Sequence, residues 1–221
     1  MSWFPFLETP TRMNIFAASG SGKTHFLLHE ILGHESPPFD VILWLAPGAS
    51  LQQAEIADMI EKKNFNGVPF YSIIANKFVE KTMKLLEELK KENLKICFVI
   101  DDLISKKTDE SAFITNLYTA GRHLGVVLLI EMAQRIFINR TNRLNTNHII
   151  VGRLGGATEF NALITQIYSD KKLRADVLEA YNEIMRTQKY GFIWLDLSFL
   201  SEENRALAFR VGWDKVITFK K

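Results

Sequence analysis

The chain has 221 residues, of which 47% are hydrophobic and 24% are charged, and 27 Lys and Arg against 25 Asp and Glu give a formal net charge of +2. These ordinary globular values exclude a disordered, a collagen-like and a strongly basic, histone-like protein. The single cysteine, Cys97, excludes a disulfide framework and a cysteine-based zinc site.

Short β-rich runs alternate with helical patterns along the chain. Strands are predicted at residues 12–17, 40–45, 70–74, 96–100, 126–130, 148–151 and 192–195, with one or two edge strands in 209–219. Helices are predicted at residues 22–32, 50–62, 77–92, 109–123, 157–168 and 173–185. Continuous apolar strands separated by helices indicate a mostly parallel sheet covered on both faces, a three-layer α/β fold. No linker or repeat divides residues 1–221, so a single domain is expected, and no run approaches the roughly 20 apolar residues of a membrane span.

The sharpest feature is the segment 17–24, AASGSGKT, which follows a predicted strand and opens a predicted helix. This is the context of the P-loop, G-x-x-x-x-G-K-[ST], whose backbone N–H groups bind phosphate at a helix N-terminus. Lys23 is predicted to reach the β- and γ-phosphates and Thr24 to bind Mg²⁺. Ala17 replaces the first glycine and fits only with a negative φ. The predicted nucleotide-binding residues are Ala18, Ser19, Gly20, Ser21, Gly22, Lys23, Thr24 and His25. The alternative is a Ser/Gly turn that caps a helix.

The segment 95–102, KICFVIDD, is a hydrophobic strand that ends in two carboxylates. In P-loop proteins such an Asp binds Mg²⁺ directly or through a water, and Asp101 is assigned this role. Asp102 is predicted to polarise the water that attacks the γ-phosphate. Two acids this close repel each other unless a cation lies between them. An Asp-Asp turn after a strand is common by itself, so the assignment depends on the P-loop.

The strand after the acidic strand indicates the class of P-loop protein. A strand at 40–45 separates the P-loop strand from the acidic strand in the chain. Together with the second acid, this favours the additional-strand class of P-loop ATPases over the nucleotide-kinase class. In that class the strand at 126–130 is inserted between the other two, and its continuation places Gln134 between Lys23 and Asp102, near the γ-phosphate or the water. The alternative is a polar residue that leaves a strand.

Four features occur in one order: GSGKT, Asp101-Asp102, the segment AGRHLG at 120–125, and a strand that ends in Gln134. In this the chain resembles the FtsK–HerA superfamily of DNA-pumping ATPases. It is similar in particular to the genome-packaging ATPases of poxvirus-like viruses and of double-jelly-roll-capsid viruses, which include virophages and archaeal icosahedral viruses. The second acid of that viral branch is often Asp, as here. The match covers roughly residues 11–153.

The resemblance implies a RecA-like ATPase that forms a hexameric or pentameric ring, with ATP and Mg²⁺ at the subunit interfaces. An arginine from the neighbouring subunit would act at the γ-phosphate, where such a finger contributes about 10³–10⁵ in rate. Arg122 is the candidate for this finger, and Lys23, Asp102 and Gln134 would act within one subunit. The rivals of Arg122 are Arg135, Arg143 and Arg153. The alternative for Arg122 is a surface arginine favoured by the dipole at a helix C-terminus.

The same resemblance implies double-stranded DNA and capsid or portal-site proteins as partners. Its implied place is the site of virion assembly in the host cytoplasm or nucleus, or the virion. A translocase contacts the DNA backbone through basic and amide side chains. Residues 135–147 hold three arginines and four asparagines, and Lys106 and Lys107 follow the acidic strand. Solvated loops are the alternative for both segments.

Two other functions fit the sequence. A small P-loop phosphotransferase would need an acceptor pocket and an arginine-bearing lid, and no clear lid is visible. An ATP-gated capsid assembly protein would bind ATP with little turnover, and nothing in the sequence excludes it.

The spacing of the histidines in and after the first predicted helix resembles a metal-binding pattern but does not match one. His25 and His29 share one helix face. His29-Glu30 with His34 departs from H-E-x-x-H because the second histidine is one residue late. The sequence therefore indicates no zinc site here.

Overall fold

The apolar runs of the sequence form the strands of one sheet. The computed structural model describes residues 10–33, 36–76, 78–103, 108–197, 207–211 and 215–219. The strands in these ranges are β1 (Thr11–Phe16), β2 (Val41–Ala46), β3 (Asn64–Phe65), β4 (Val68–Ile74), β5 (Ile96–Asp101), β6 (Val126–Ala133), β7 (His148–Val151), β8 (Ile193–Asp196), β9 (Leu207–Val211) and β10 (Lys215–Phe219).

The helices fall between the strands. They are α1 (Lys23–Phe26, continued by a π-helical segment, Leu27–Leu32), α2 (Ala54–Lys62), α3 (Phe78–Lys91), α4 (Thr108–Ala120), α5 (Arg140–Leu144), α6 (Ala157–Ile167) and α7 (Lys171–Thr187). Short 3₁₀ segments cover Ser50–Gln52 and Gly121–Leu124.

The strand order is β10-β9-β8-β7-β1-β6-β5-β2-β4-β3. β7, β1, β6, β5, β2 and β4 pair in parallel, whereas β8, β9, β10 and β3 pair antiparallel with their neighbours. β6 lies between β1 and β5. The predicted α/β fold and the predicted insertion of β6 beside the P-loop strand are therefore confirmed.

Helices cover both faces because side chains alternate along each strand. Ile15 of β1 belongs to the hydrophobic cluster that includes α1 and α2. Phe16, on the opposite face, packs in the cluster of α6 and α7 around Phe160. α3 and α4 complete that second face against β2 and β5, and every residue of β2 and β5 is buried.

Several predicted boundaries were wrong. The helix predicted at 50–62 is broken at Gln53, whose extended backbone (φ −61°, ψ 136°) separates the 3₁₀ turn from α2. Ala54, directly after this break, is exposed. α4 ends at Ala120 and tightens into 3₁₀ geometry before Gly125. α5 falls in a segment that had no predicted helix. β6 extends to Ala133, which agrees with the predicted continuation of its strand towards Gln134.

Candidate nucleotide-binding and active site

The P-loop joins β1 to α1 through two glycines with left-handed backbones. Gly20 has φ +72° and Gly22 has φ +85°. An L-residue is strained in this region, so the turn requires glycine at both positions. Gly22 caps α1, and its carbonyl accepts a hydrogen bond of 2.8 Å from the N–H of Phe26. The loop therefore opens directly onto a helix N-terminus, as the sequence predicted.

Ala17 continues the extended backbone of β1. Its N–H donates to the carbonyl of Ala133 at 3.1 Å, and the residue is fully buried. It is not among the described non-glycine residues with positive φ, so the condition for alanine at this position is met. Its methyl group faces Gly152, where an added Cβ would lie 2.9 Å from the Cβ of Ala17.

Lys23 is buried and points back into the loop. Its Nζ donates to the carbonyl of Ala17 at 2.7 Å and lies 3.4 Å from that of Ala18. Burial lowers the pKa of Lys23, and the nearby carboxylates of Asp102 and Asp101 raise it in part. The ammonium group is thus held between the loop carbonyls and the two acids that the sequence placed at the site.

Asp101 ends β5 in a buried position. Its Oδ2 makes no hydrogen bond of normal length and angle within the described ranges, although the indole N–H of Trp44 lies near the carboxyl group. The pKa of Asp101 is raised to about 6, mainly by burial and then by the charge of Asp102, while the charge of Lys23 and a hydrogen bond with the Trp44 indole lower it in part. An unpartnered buried carboxylate oxygen in the same cavity as the Thr24 hydroxyl fits a hard cation, because Mg²⁺ prefers oxygen ligands.

Asp102 follows β5 with a left-handed backbone (φ 48°). Its N–H donates to the carbonyl of Met132 on β6 at 2.9 Å. Its Oδ2 accepts a hydrogen bond of 3.0 Å from Nε2 of Gln134. Gln134 thus lies against Asp102, while its predicted position between Lys23 and Asp102 stays a prediction. A non-glycine residue at positive φ is often found at functional sites.

One cavity of about 690 Å³ is lined by the P-loop and by both acids. Its lining includes six of the eight predicted nucleotide-binding residues together with both acids, and Ala18 and Ser21 lie outside it. The lining residues that sequence reasoning missed are Phe26, Glu30, Gln53, Glu55, Tyr190 and Phe192. Tyr190 lies against Gly22, since a Cβ there would be 3.4 Å from the tyrosine ring. The aromatic residues on either side of Gly191 were the one sequence signal for this side of the cavity. They lie so far from the P-loop in the chain that the sequence did not connect the two segments.

A second cavity of about 400 Å³ is lined by Asp102 and Gln134 together with Glu131. Glu131 on β6 begins a chain of polar contacts that passes through α4 and β1 and ends after α5. Its Oε2 lies 2.6 Å from Oη of Tyr118, which lies 2.7 Å from Oδ1 of Asn14. Nδ2 of Asn14 donates to the hydroxyl of Thr146 at 2.8 Å. Sequence reasoning treated none of these residues as functional.

Arg122 is exposed and lies away from the P-loop of its own subunit. It precedes β6, whereas Gln134 follows the same strand, and β6 spans about 23 Å. Its charge lowers the pKa of Arg12 at the start of β1, after burial, which contributes most. Arg122 therefore lies near the amino-terminal end of β6, whereas Gln134 lies at its carboxyl-terminal end. The role of Arg122 as an arginine finger across a subunit interface stays a prediction.

The rival arginines have other surroundings. Arg135 lines the second cavity, and Arg143 donates to the side chain of Gln166. Arg153 donates to the carbonyl of Met185, while its own carbonyl accepts from the N–H of Ala18 at 2.7 Å.

The proposed DNA-contacting segments differ in outcome. Lys106 and Lys107 lie outside the described residues. The same is true of His34, which was discussed above as a metal ligand. Residues 135–147 are not a plain loop, because α5 begins at the Asn139 cap. Phe137 and Leu144 are largely exposed there. Of the helices described, none has both the length and the apolar character to cross a membrane.

Known structures share this architecture. The genome packaging NTPase B204 of Sulfolobus turreted icosahedral virus 2, in complex with AMP, matches at 16% identity and TM-score 0.61, over 92% of this chain and 98% of that one. Its complex with ATP-gammaS matches at 15% identity and TM-score 0.59, over 91% and 95%. EssC ATPases 2 and 3 of Geobacillus thermodenitrificans match at 15% identity and TM-score 0.50, over 70% and 34%. No curated protein matches the chain significantly by sequence.

The family comparison covers nearly the whole chain. The model of the poxvirus A32 protein matches residues 4–219, which include the P-loop, both acids and the late strands. The resemblance to viral packaging ATPases that the motifs indicated is thereby confirmed. The chain belongs to the poxvirus A32 protein family and is a P-loop ATPase.

Proposed function

We propose that this ATPase forms a ring that pumps double-stranded DNA into a viral capsid and hydrolyses ATP at its subunit interfaces. The observation that carries the proposal is the meeting of Lys23, Asp101 and Asp102 in one cavity, with Gln134 hydrogen-bonded to Asp102. Packaging NTPase B204, which shares the fold, is described in complex with ATP-gammaS. The single ten-stranded sheet supports one domain over residues 1–221.

The residues divide the reaction between them. The N–H groups of the P-loop and Lys23 bind the triphosphate. Thr24 and Asp101 would hold Mg²⁺, which supplies charge neutralisation on the β- and γ-phosphates. Asp102 accepts the proton of the attacking water, and Gln134 orients both Asp102 and that water. Arg122 of the adjacent subunit would complete the site, since its own P-loop lies beyond the far end of β6.

The proposed partners are double-stranded DNA, further copies of the chain in a hexamer or pentamer, and capsid or portal-site proteins. The proposed place of action is the site of virion assembly in the host cytoplasm or nucleus, or the virion. The basic side chains of Arg135, Arg140 and Arg143 support a DNA-facing role for the segment around α5, because backbone binding depends on positive charge.

The test measures ATPase rate per subunit against protein concentration, with and without double-stranded DNA. We expect a rate that rises with both and is lost in Lys23→Ala and Asp102→Ala. Phosphorylation of a nucleoside that ignores DNA would instead establish a phosphotransferase. Virion assembly that needs Lys23 but tolerates Asp102→Ala would establish an ATP-gated assembly protein.

A further inference from the structure

Three metal-ligating side chains converge at the rim of the nucleotide cavity, outside the proposed magnesium site. They are His25 and His29 on α1 and Glu55 in the first turn of α2. Nδ1 of His25 lies 3.8 Å from Oε1 of Glu55, and Nε2 of His29 lies 3.9 Å from the same oxygen. All three ligand atoms lie within 4.8 Å of one another.

The local backbone brings the two imidazoles together. α1 changes from α- to π-helical geometry at Leu27, between the two histidines. The ring centroids of His25 and His29 are 4.2 Å apart with an interplanar angle of 39°. π-helical turns are rare and occur often at functional sites, and this one aims both rings at the helix that carries Glu55.

We propose that His25, His29 and Glu55 bind a borderline transition-metal ion, with zinc as the reference case. Two imidazoles and one carboxylate form a ligand set that zinc uses with a fourth, open position. Ligand atoms around tetrahedral zinc are about 3.3 Å apart, so each pair with Glu55 must close by roughly half an ångström. The two imidazole nitrogens, which lie within 4.8 Å of each other, must close by up to about 1.5 Å. All three side chains are exposed, and exposed side chains make such adjustments by rotation within their rotamers.

The chemistry separates this site from the magnesium site. Imidazole nitrogen suits Zn²⁺, Cu²⁺ and Ni²⁺, whereas Mg²⁺ prefers the oxygens of Thr24 and Asp101. Glu30, the neighbour of His29 in the chain, also lines the nucleotide cavity. An ion bound here would tie α1, which carries the P-loop lysine, to α2.

The test titrates Zn²⁺ alone, and then Co²⁺ alone for its visible spectrum, into the full chain free of nucleotide and Mg²⁺. We expect one ion per chain, a zinc-dependent rise in Tm, and at least tenfold weaker binding in His29→Ala and in Glu55→Gln. His123→Ala is the matched control, because His123 is also exposed and belongs to a different part of the fold.

His29→Ala also separates this proposal from the packaging function. His29 does not line the nucleotide cavity, so ATP binding and basal hydrolysis should persist in this variant while zinc binding is lost. Zinc binding of unchanged affinity in His29→Ala, or no binding by the folded wild-type chain, would overturn the metal site and leave the packaging proposal untouched.

Discussion

Nε2 of Gln134 donates a 3.0 Å hydrogen bond to Oδ2 of Asp102, although the two residues leave different strands. Parallel pairing of β5 with β6 brings them together, since Asp101 is opposite Met132 in the register. The amide holds the carboxylate at one rotamer next to the P-loop lysine, which makes Gln134 a positioning residue for the proposed base.

Gln134→Glu should impair hydrolysis more than Gln134→Ala. The glutamate places a second negative charge against the carboxylate of Asp102 and repels it, whereas alanine only removes the hydrogen bond. We expect the pH dependence of kcat to shift upwards in Gln134→Glu alone. Identical pH profiles for the two variants would contradict the positioning role.

Asp102→Gly should stabilise the fold relative to Asp102→Ala by about 1 kcal/mol, because φ of 48° suits glycine and strains alanine. Both variants remove the carboxylate and should lower the ATPase rate by about 10²–10⁴. Urea unfolding and ATPase assays measure the two effects. Alanine and glycine variants of equal stability would show that the backbone at Asp102 is unstrained.

The raised pKa of Asp101, about 6, implies a stability that falls as pH rises. The carboxylate of Asp101 binds a proton more tightly in the folded protein than in the unfolded chain, where an Asp has a pKa of about 3.9. The contribution of protonated Asp101 is therefore fully present below about pH 4 and is lost as pH rises through about 6.

Asp101→Asn removes that dependence. Without Mg²⁺ or nucleotide, we compare the free energy of unfolding of Asp101→Asn with that of the wild type. We expect the variant minus wild-type difference to increase by roughly 2–3 kcal/mol from pH 4 to pH 6.5. Denaturant titrations at several pH values measure this difference. A difference that stays constant with pH would show that the pKa of Asp101 is not raised.

The buried chain through Tyr118 implies a protonated Glu131. The Thr146 hydroxyl donates to the carbonyl of Asn142 at 2.9 Å, so it accepts from Nδ2 of Asn14, and Oδ1 of Asn14 then faces Tyr118. Tyr118 has one hydroxyl proton, which it donates to Oδ1 of Asn14. The 2.6 Å contact between Tyr118 and Glu131 is then a hydrogen bond donated by a protonated carboxyl group of Glu131. Burial raises the pKa of Glu131, and the hydrogen bond with Tyr118 lowers it in part.

Glu131→Gln should therefore be tolerated, while Tyr118→Phe should cost about 1–3 kcal/mol because it leaves a buried acceptor unpaired. Infrared spectroscopy should show a protonated-carboxyl band that disappears in Glu131→Gln. A strongly destabilised Glu131→Gln with no such band in the wild type would assign a charged carboxylate instead.

Arg122→Ala should lower DNA-stimulated hydrolysis by about 10³ or more if the arginine acts as a finger. Because it would act across an interface, mixing Arg122→Ala with Lys23→Ala subunits should restore part of the activity. Each mixed interface can then combine an intact P-loop with an intact arginine. Mixtures as inactive as the separate variants would exclude a role in trans.

Much of the fold follows from local patterns. The apolar run of β5 and the P-loop glycines are readable because burial on both faces and positive φ each demand particular residue types. Glu131, by contrast, lies in the predicted continuation of its strand, but only the fold brings it to Tyr118. The wall of Tyr190 and the pairing of Glu55 with His25 and His29 likewise depend on contacts between distant segments, which no local pattern encodes.

The contact between Ala17 and Gly152 has an evolutionary consequence. A Cβ at 152 would fall 2.9 Å from that of Ala17 and 2.6 Å from the ring of Phe192, so the space between β1 and β7 admits a single methyl group. In this protein the first P-loop position holds that methyl. Glycine at 17 would leave a small void, and any side chain at 152 would push the phosphate loop out of place. Positions 17 and 152 are therefore expected to change together among descendants of this sequence, with substitutions at 152 accepted only after 17 has become glycine and the ring at 192 has shrunk.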